Sequence, residues 1–320
     1  MTKKQVSFEQ AQNGEEYTSV NPSTLPVIKD PLSKDDDRFE LIRRIREDTL
    51  PLLPSECFIK NEYSGMLATD LFCLNTLLGS MIESKVVDFL NTHRKKWDPN
   101  EELNEYHFVR SSETFPDVRL VKGNDDLTPK LGIELKSWFI LSKEQEPSFR
   151  YTTAAEACDD SDSLCIVPWY LSNAVCGNPV LMKPWVYSAK QAAWEEKQFW
   201  EYKKESKLPM TLEARKVDVP KDAKPYMNAR SKTNYSVHKD KGNNFGRLAR
   251  SEIMDDFINE ILKTEVIGIP AENWCKFLEI HTDSKKIKNM EQRIKSIVNM
   301  PKSDEFIKKV NELKILLESL

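Results

Sequence analysis

Apolar positions change their period several times along the chain, and each change predicts an element. Phe39, Ile42 and Ile45 recur every three residues, which predicts a helix over 38–48 that Pro51 and Pro54 stop. Leu71, Leu74, Leu78, Ile82, Val86 and Phe89 then follow the three-and-four rhythm of a buried helical stripe. They predict a long helix from about 65 to 94, closed by Trp97, Asp98 and Pro99. Beyond it the pattern becomes extended, at Tyr106 and Phe108, and at Phe115, Val118 and Leu120. After a polar turn at 122–126 comes the run LGIELKSWFIL at 131–141, rich in branched and aromatic residues and of a length suited to a central strand. These extended segments read as a β-hairpin or as neighbouring strands.

Further on, 152–160 predicts a short helix capped by Thr152 or Thr153. Residues 163–172 predict a buried strand, which Pro168 should end or confine to an edge. Residues 186–206 predict a helix with Ala193, Phe199 and Trp200 among its apolar contacts, 207–247 is weakly periodic, and helical patterns return at 248–263 and 284–320. No internal repeat is visible. The order predicts an α/β fold: a mixed central sheet flanked by helices, with an additional helical C-terminal region. The expected organisation is a flexible N-terminal arm at 1–37, one domain over 38–283 and a helical extension over 284–320.

Composition narrows the function. With 39% hydrophobic and 31% charged residues among 320, the chain suits a globular protein with a real core. No apolar run approaches the ~20 residues that cross a bilayer. The basic N-terminus has no apolar stretch behind it, so a cytoplasmic protein with no membrane partner is expected. Cys57, Cys73, Cys158, Cys165, Cys176 and Cys275 form no CxxC pair and no Cys/His cluster, which excludes zinc spacing and suits reduced, mostly buried thiols. Only nine glycines occur, and no glycine-rich loop follows a strand, so no nucleotide cofactor is expected. Pro168-Trp169-Tyr170 lacks the second proline of the amino-methyltransferase tetrapeptide, and that activity is set aside.

Charge is unevenly spread. Residues 197–250 hold 14 Lys and Arg against 6 Asp and Glu, a net +8, which leaves −12 for the remainder of a chain of net charge −4. A basic groove on an acidic body would give this segregation, as would a solvated lysine-rich loop region.

The candidate chemistry lies on the extended segments. Glu134 and Lys136 are two residues apart on a strand, so they point to one side while Leu135 points to the other. Asp117, after Pro116, sits at the end of the preceding extended segment. Phosphodiester cleavage needs a divalent cation held by hard oxygen ligands, a nucleophilic water and positive charge facing the phosphorane. Two carboxylates and a lysine supply these. The alternative is a surface salt bridge between Glu134 and Lys136 in an ordinary strand.

Phe115-Pro116-Asp117, followed by Gly132-Ile133-Glu134-Leu135-Lys136 with sixteen residues between Asp117 and Glu134, resembles the PD-(D/E)xK signature of type II restriction endonucleases and related nucleases. The resemblance covers about 67–172. It implies a restriction-endonuclease-like core and Mg²⁺ held by Asp117, Glu134 and the Leu135 carbonyl, with Lys136 as the catalytic lysine. It also implies site-specific hydrolysis of double-stranded DNA to 5′-phosphate and 3′-hydroxyl ends, by a homodimer with one active site per strand. A repair, nicking or junction-resolving nuclease, and a non-catalytic DNA-binding protein of the same fold, are the alternatives.

Glu83 is a candidate further metal ligand, because helices before the hairpin often carry one in such nucleases; its other reading is a helix-edge glutamate paired with Lys85 or with solvent. Asp125 and Asp126 read as solvated turn residues. Arg230, Lys232, Asn234, Tyr235, His238, Asn243, Asn244 and Arg247 are the candidate DNA contacts, cations for phosphates and Asn or Arg for base edges, unless the segment is a basic surface loop. His93, His107 and His281 lack spaced partners and read as structural.

Overall fold

A computed structural model describes residues 5–6, 27–65, 74–111, 114–123, 128–205, 217–218, 232–233 and 246–282, together with Lys308 and Asn311. Its centre is a mixed six-stranded sheet. β1 (Tyr106–Arg110), β2 (Val118–Lys122) and β3 (Leu131–Phe139) run antiparallel in sequence order, and β4 (Ser163–Leu171) lies parallel to β3. β5 (Pro179–Leu181) and β6 (Trp185–Ser188) share the far side of β4, both antiparallel to it. β3 and β4 are buried along almost their whole length, as their continuous apolar runs require.

The stripe expected before the sheet forms α2 (Leu74–Thr92), and α1 is Phe39–Arg43. Leu78, Ile82, Val86 and Phe89 are all buried at the predicted spacing. Asn91 at its C-terminal end donates to the Phe108 carbonyl and accepts from the Phe108 amide, both at 2.8 Å. One side-chain amide thus supplies the edge strand β1 with a partner for both polar backbone groups. His93 closes the helix: Nδ1 lies 2.8 Å from the Phe89 carbonyl and Nε2 lies 2.7 Å from Glu56, the structural role expected of it. Trp97 packs edge-on against Phe108 and donates its indole N–H to the Leu90 carbonyl. Beyond the sheet follow α3 (Ala189–Glu205), α4 (Asp255–Leu262) and α5 (Ala271–Thr282).

Several expectations are corrected. Pro51 and Pro54 do not end the first helical segment, which continues through a wide π turn at Arg44–Thr49 and a tight turn at Leu50–Leu52 into Leu53–Glu56. Each proline stands in the first turn of a new piece, where its missing N–H leaves no bond unmade. The helix expected at 152–160 shrinks to one turn, Ala155–Ala157, with no side-chain cap. The Tyr151 amide donates to the Gly246 carbonyl at 2.8 Å, which holds the preceding residues extended.

Pro168 lies inside β4, not at its end. There β4 changes partner, from β6 at 163–166 to β5 at 169–171, so the missing donor falls between two ladders. The expected N-terminal arm is docked from Val27 onward. Ile28 is buried, its carbonyl accepts from Gln191, and Asp30 pairs with Arg46 at 2.6 Å. α5 was absent from the sequence reading, although Trp274, Cys275 and Leu278 after Pro270 carry a helical spacing and are buried. The extension expected over 284–320 lies outside the described residues, apart from helical Lys308 and Asn311. Of the six cysteines, the described five are free thiols, four of them buried. Among the described residues no helix is long and apolar enough to cross a membrane.

Candidate active site

Pairing between β2 and β3 covers only Val118 with Ile133 through Leu120 with Leu131. β3 then runs on to Phe139 beside β4 alone, so the sheet opens on its β2 side just where Asp117 and Glu134 face each other. Side chains replace the missing ladder. The Leu135 amide donates to Asp117 Oδ2 at 3.1 Å, and the Asp117 amide donates to Glu134 Oε2 at 3.2 Å. Each carboxylate is thereby fixed by the other's strand.

Lys136 completes the arrangement. Its Nζ lies 2.9 Å from Asp117 Oδ2 and 2.7 Å from Glu134 Oε1, so one ammonium bridges both carboxylates. The pair is not a surface salt bridge: the Glu134 side chain is 11% exposed and that of Lys136 26%.

The two halves of the motif fit together through Gly132. A Cβ at that position would lie 2.2 Å from Pro116 Cγ and 2.7 Å from Asp162 Oδ1. The absent side chain admits Pro116, and with it Asp117, against β3. Gly132→Ala is accordingly expected to cost about 2 kcal/mol through overpacking, read as a lowered urea midpoint, and to loosen the site without removing any of its charged groups. Arg119, which the sequence reading did not single out, is buried and donates through Nη2 to the Phe115 carbonyl at 2.9 Å and to Thr114 at 3.2 Å. It ties down the loop that delivers Asp117.

Glu83 reaches this end of the sheet from α2, which packs on the face opposite Glu134 and Lys136: a Cβ at Gly79 would lie 3.3 Å from Ser137 Oγ. Neither expected partner of Glu83 is the one found. Lys85 pairs with Asp88, while Glu83 Oε2 accepts from Arg110 Nη2 at 2.9 Å and Nε at 3.2 Å.

No family model, curated protein or solved structure matches the chain.

The chemistry therefore rests on the side chains themselves. Burial pushes the Glu134 carboxyl up to about 7; the Asp117 charge adds to this and Lys136 opposes it. For Lys136, burial works against the charge, but the Glu134 and Asp117 carboxylates outweigh it and hold the ammonium above its ordinary range. Burial also raises Glu83, helped by the Asp117 charge and opposed by Arg110 and Lys136. Glu83 therefore feels two of the three residues that define the site, Asp117 and Lys136.

A hard divalent cation suits this donor set. The acids offer oxygen only, and a buried carboxyl whose ionisation is penalised gains from a second positive charge beside it. Among the described residues no group of three or more His, Cys, Asp or Glu side chains is placed to hold a metal ion. Two carboxylates are, however, the usual protein share for Mg²⁺, which keeps several waters and takes substrate phosphate oxygens as further ligands.

The candidate DNA contacts are mostly beyond reach. Arg230, Asn234, Tyr235, His238, Asn243 and Asn244 lie outside the described residues, as do Asp125 and Asp126. Lys232 stands in a two-residue strand, Lys232–Thr233, antiparallel to Val217–Asp218. Arg247 turns inward, 3.9 Å from Glu146, with its backbone bridged to Arg150.

Proposed function

We propose that this chain is a Mg²⁺-dependent deoxyribonuclease that hydrolyses phosphodiester bonds of double-stranded DNA, of the site-specific restriction type with a restriction-endonuclease-like core. One observation supports this above others: two carboxylates share one half-buried lysine where two strands part, at the PD-(D/E)xK spacing. The net positive charge of residues 197–250 suits a polyanionic substrate.

In this reading Asp117 and Glu134 hold the cation, with the Leu135 carbonyl as the backbone ligand that the resemblance assigns and Glu83 behind them. When bound, Mg²⁺ supplies a Lewis acid for the phosphate oxygens and lowers the pKa of a coordinated water. Lys136 enters through the Nζ that bridges the two carboxylates. It aligns the attacking water and donates to the phosphate oxygens on which negative charge grows. Water adds to phosphorus and gives a proton to solvent, the bond to the 3′ oxygen breaks, and that oxygen leaves as a hydroxyl by taking a proton from solvent, with phosphate on the 5′ end. Cutting both strands of a palindrome calls for two such sites, hence a homodimer of two-fold symmetry.

The test is incubation of the purified chain and Mg²⁺ with linear, supercoiled and branched DNAs. Discrete fragments from linear duplex are expected. Cutting confined to junctions or to one strand would replace "restriction" by resolution or nicking. Intact DNA throughout, with no cation effect on binding, would leave a DNA-binding protein without catalysis.

A further inference from the structure

Arg110 ends β1 beside the site. It pairs with Val118, and the next residue, Ser111, donates its amide to the Asp117 carbonyl at 2.7 Å. Its guanidinium sends Nε and Nη2 to one oxygen of Glu83, while Nη1 has no hydrogen-bond partner among the described residues. The Arg110 side chain is 40% exposed, but that of its partner Glu83 is only 18% exposed. An arginine anchored from behind by an inner carboxylate, with one amine unused, is held in place before any ligand arrives. That preorganisation lowers the ordering cost of binding an anion.

The surroundings name the anion. Asp117, Glu134 and Lys136 sum to one negative charge at the opening between β2 and β3, and Glu83 adds another behind them. Arg110 balances that second charge, but its fork is only half used. The remaining amine is unpaired among the described residues, on a strand end that the Ser111 amide ties to Asp117. A guanidinium donates to phosphate oxygens in its own plane, which a lysine cannot reproduce.

We infer that Arg110 is a substrate-contacting residue, which binds a phosphate of the DNA strand neighbouring the scissile one while Glu83 holds its guanidinium in position. This rests on the nuclease reading and adds to it a contact outside the signature residues. Two roles need separating, since Arg110 also neutralises Glu83 and would matter for that reason alone.

Equilibrium binding of duplex DNA in Ca²⁺, at several salt concentrations, separates them. In Arg110→Ala the affinity is expected to fall about tenfold, and the slope of log K against log salt to shrink by about one, the signature of one lost phosphate contact. Arg110→Lys should keep the slope and lose part of the affinity. The deciding variant is Arg110→Ala with Glu83→Gln, which removes both charges and leaves no unpaired carboxylate, so it also serves if the single variant does not fold. If Arg110 holds phosphate, the double variant binds more weakly and with a shallower slope than Glu83→Gln alone. Affinity and slope equal to those of Glu83→Gln would overturn the inference and leave Arg110 as the counter-ion of Glu83. Wild-type protein that neither binds nor cuts duplex would instead overturn the nuclease reading itself.

Discussion

Asp117→Ala, Glu134→Ala and Lys136→Ala are each expected to lower Mg²⁺-dependent cleavage by about a thousandfold or more. The losses should differ in kind. Asp117 and Glu134 are the proposed cation ligands, so their removal should also erase the tightening of DNA binding by Ca²⁺, an ion that occupies such carboxylates while positioning water poorly. Lys136 is a donor to the phosphate, so Lys136→Ala should still respond to Ca²⁺ and fail only in the chemical step. Single-turnover cleavage in Mg²⁺, beside Ca²⁺ binding isotherms, reads both. Any of the three that cuts at a rate comparable to wild type does not belong to the machinery. The three losses should also fall far short of adding, because the Asp117 amide holds the Glu134 carboxylate, the Leu135 amide holds that of Asp117, and one ammonium bridges both.

The pairing of Glu134 with Lys136 was legible in the sequence because both lie on one strand. Period-two alternation alone put Glu134 and Lys136 on one side, and the high apolar content around them made a charged pair there unusual. How Asp117 meets them was not legible. It depends on the β2–β3 ladder stopping at Val118 and Ile133, and on Gly132 admitting Pro116, and both are tertiary facts. Arg110 and Arg119 carried no signal either, since an arginine at a strand end reads as a solvated charge until its neighbour across the sheet is known.

The fold shows the same division. Stripes of single period, such as Leu78 to Phe89, gave their helix directly. Proline was misjudged at Pro51, Pro54 and Pro168, because its effect depends on whether the lost N–H had a partner. At a first turn, or between two ladders, it had none.

A second large effect follows from the burial of Glu134. Its carboxyl ionises near pH 7 in the fold against 4.5 ordinarily. Below the ordinary value the group is protonated whether the chain is folded or not, and the fold bears no cost. Between the two values the unfolded chain gives up its proton and the fold retains it. Stability therefore falls as pH rises through this window in the absence of a divalent cation. Urea unfolding in EDTA at pH 4.5 and pH 8 should show the loss in wild type and not in Glu134→Gln; the difference between the two isolates this group from Glu83 and Glu146, which burial also raises. Lys136→Met should move the window upward, because the ammonium is what restrains the rise. Mg²⁺ at pH 8 should return part of the lost stability to wild type and none to Glu134→Gln, since a cation stabilises whatever state binds it. If wild type and Glu134→Gln lose stability in parallel from pH 4.5 to 8, Glu134 carries no such strain. A second positive charge would then relieve no penalty at this carboxyl.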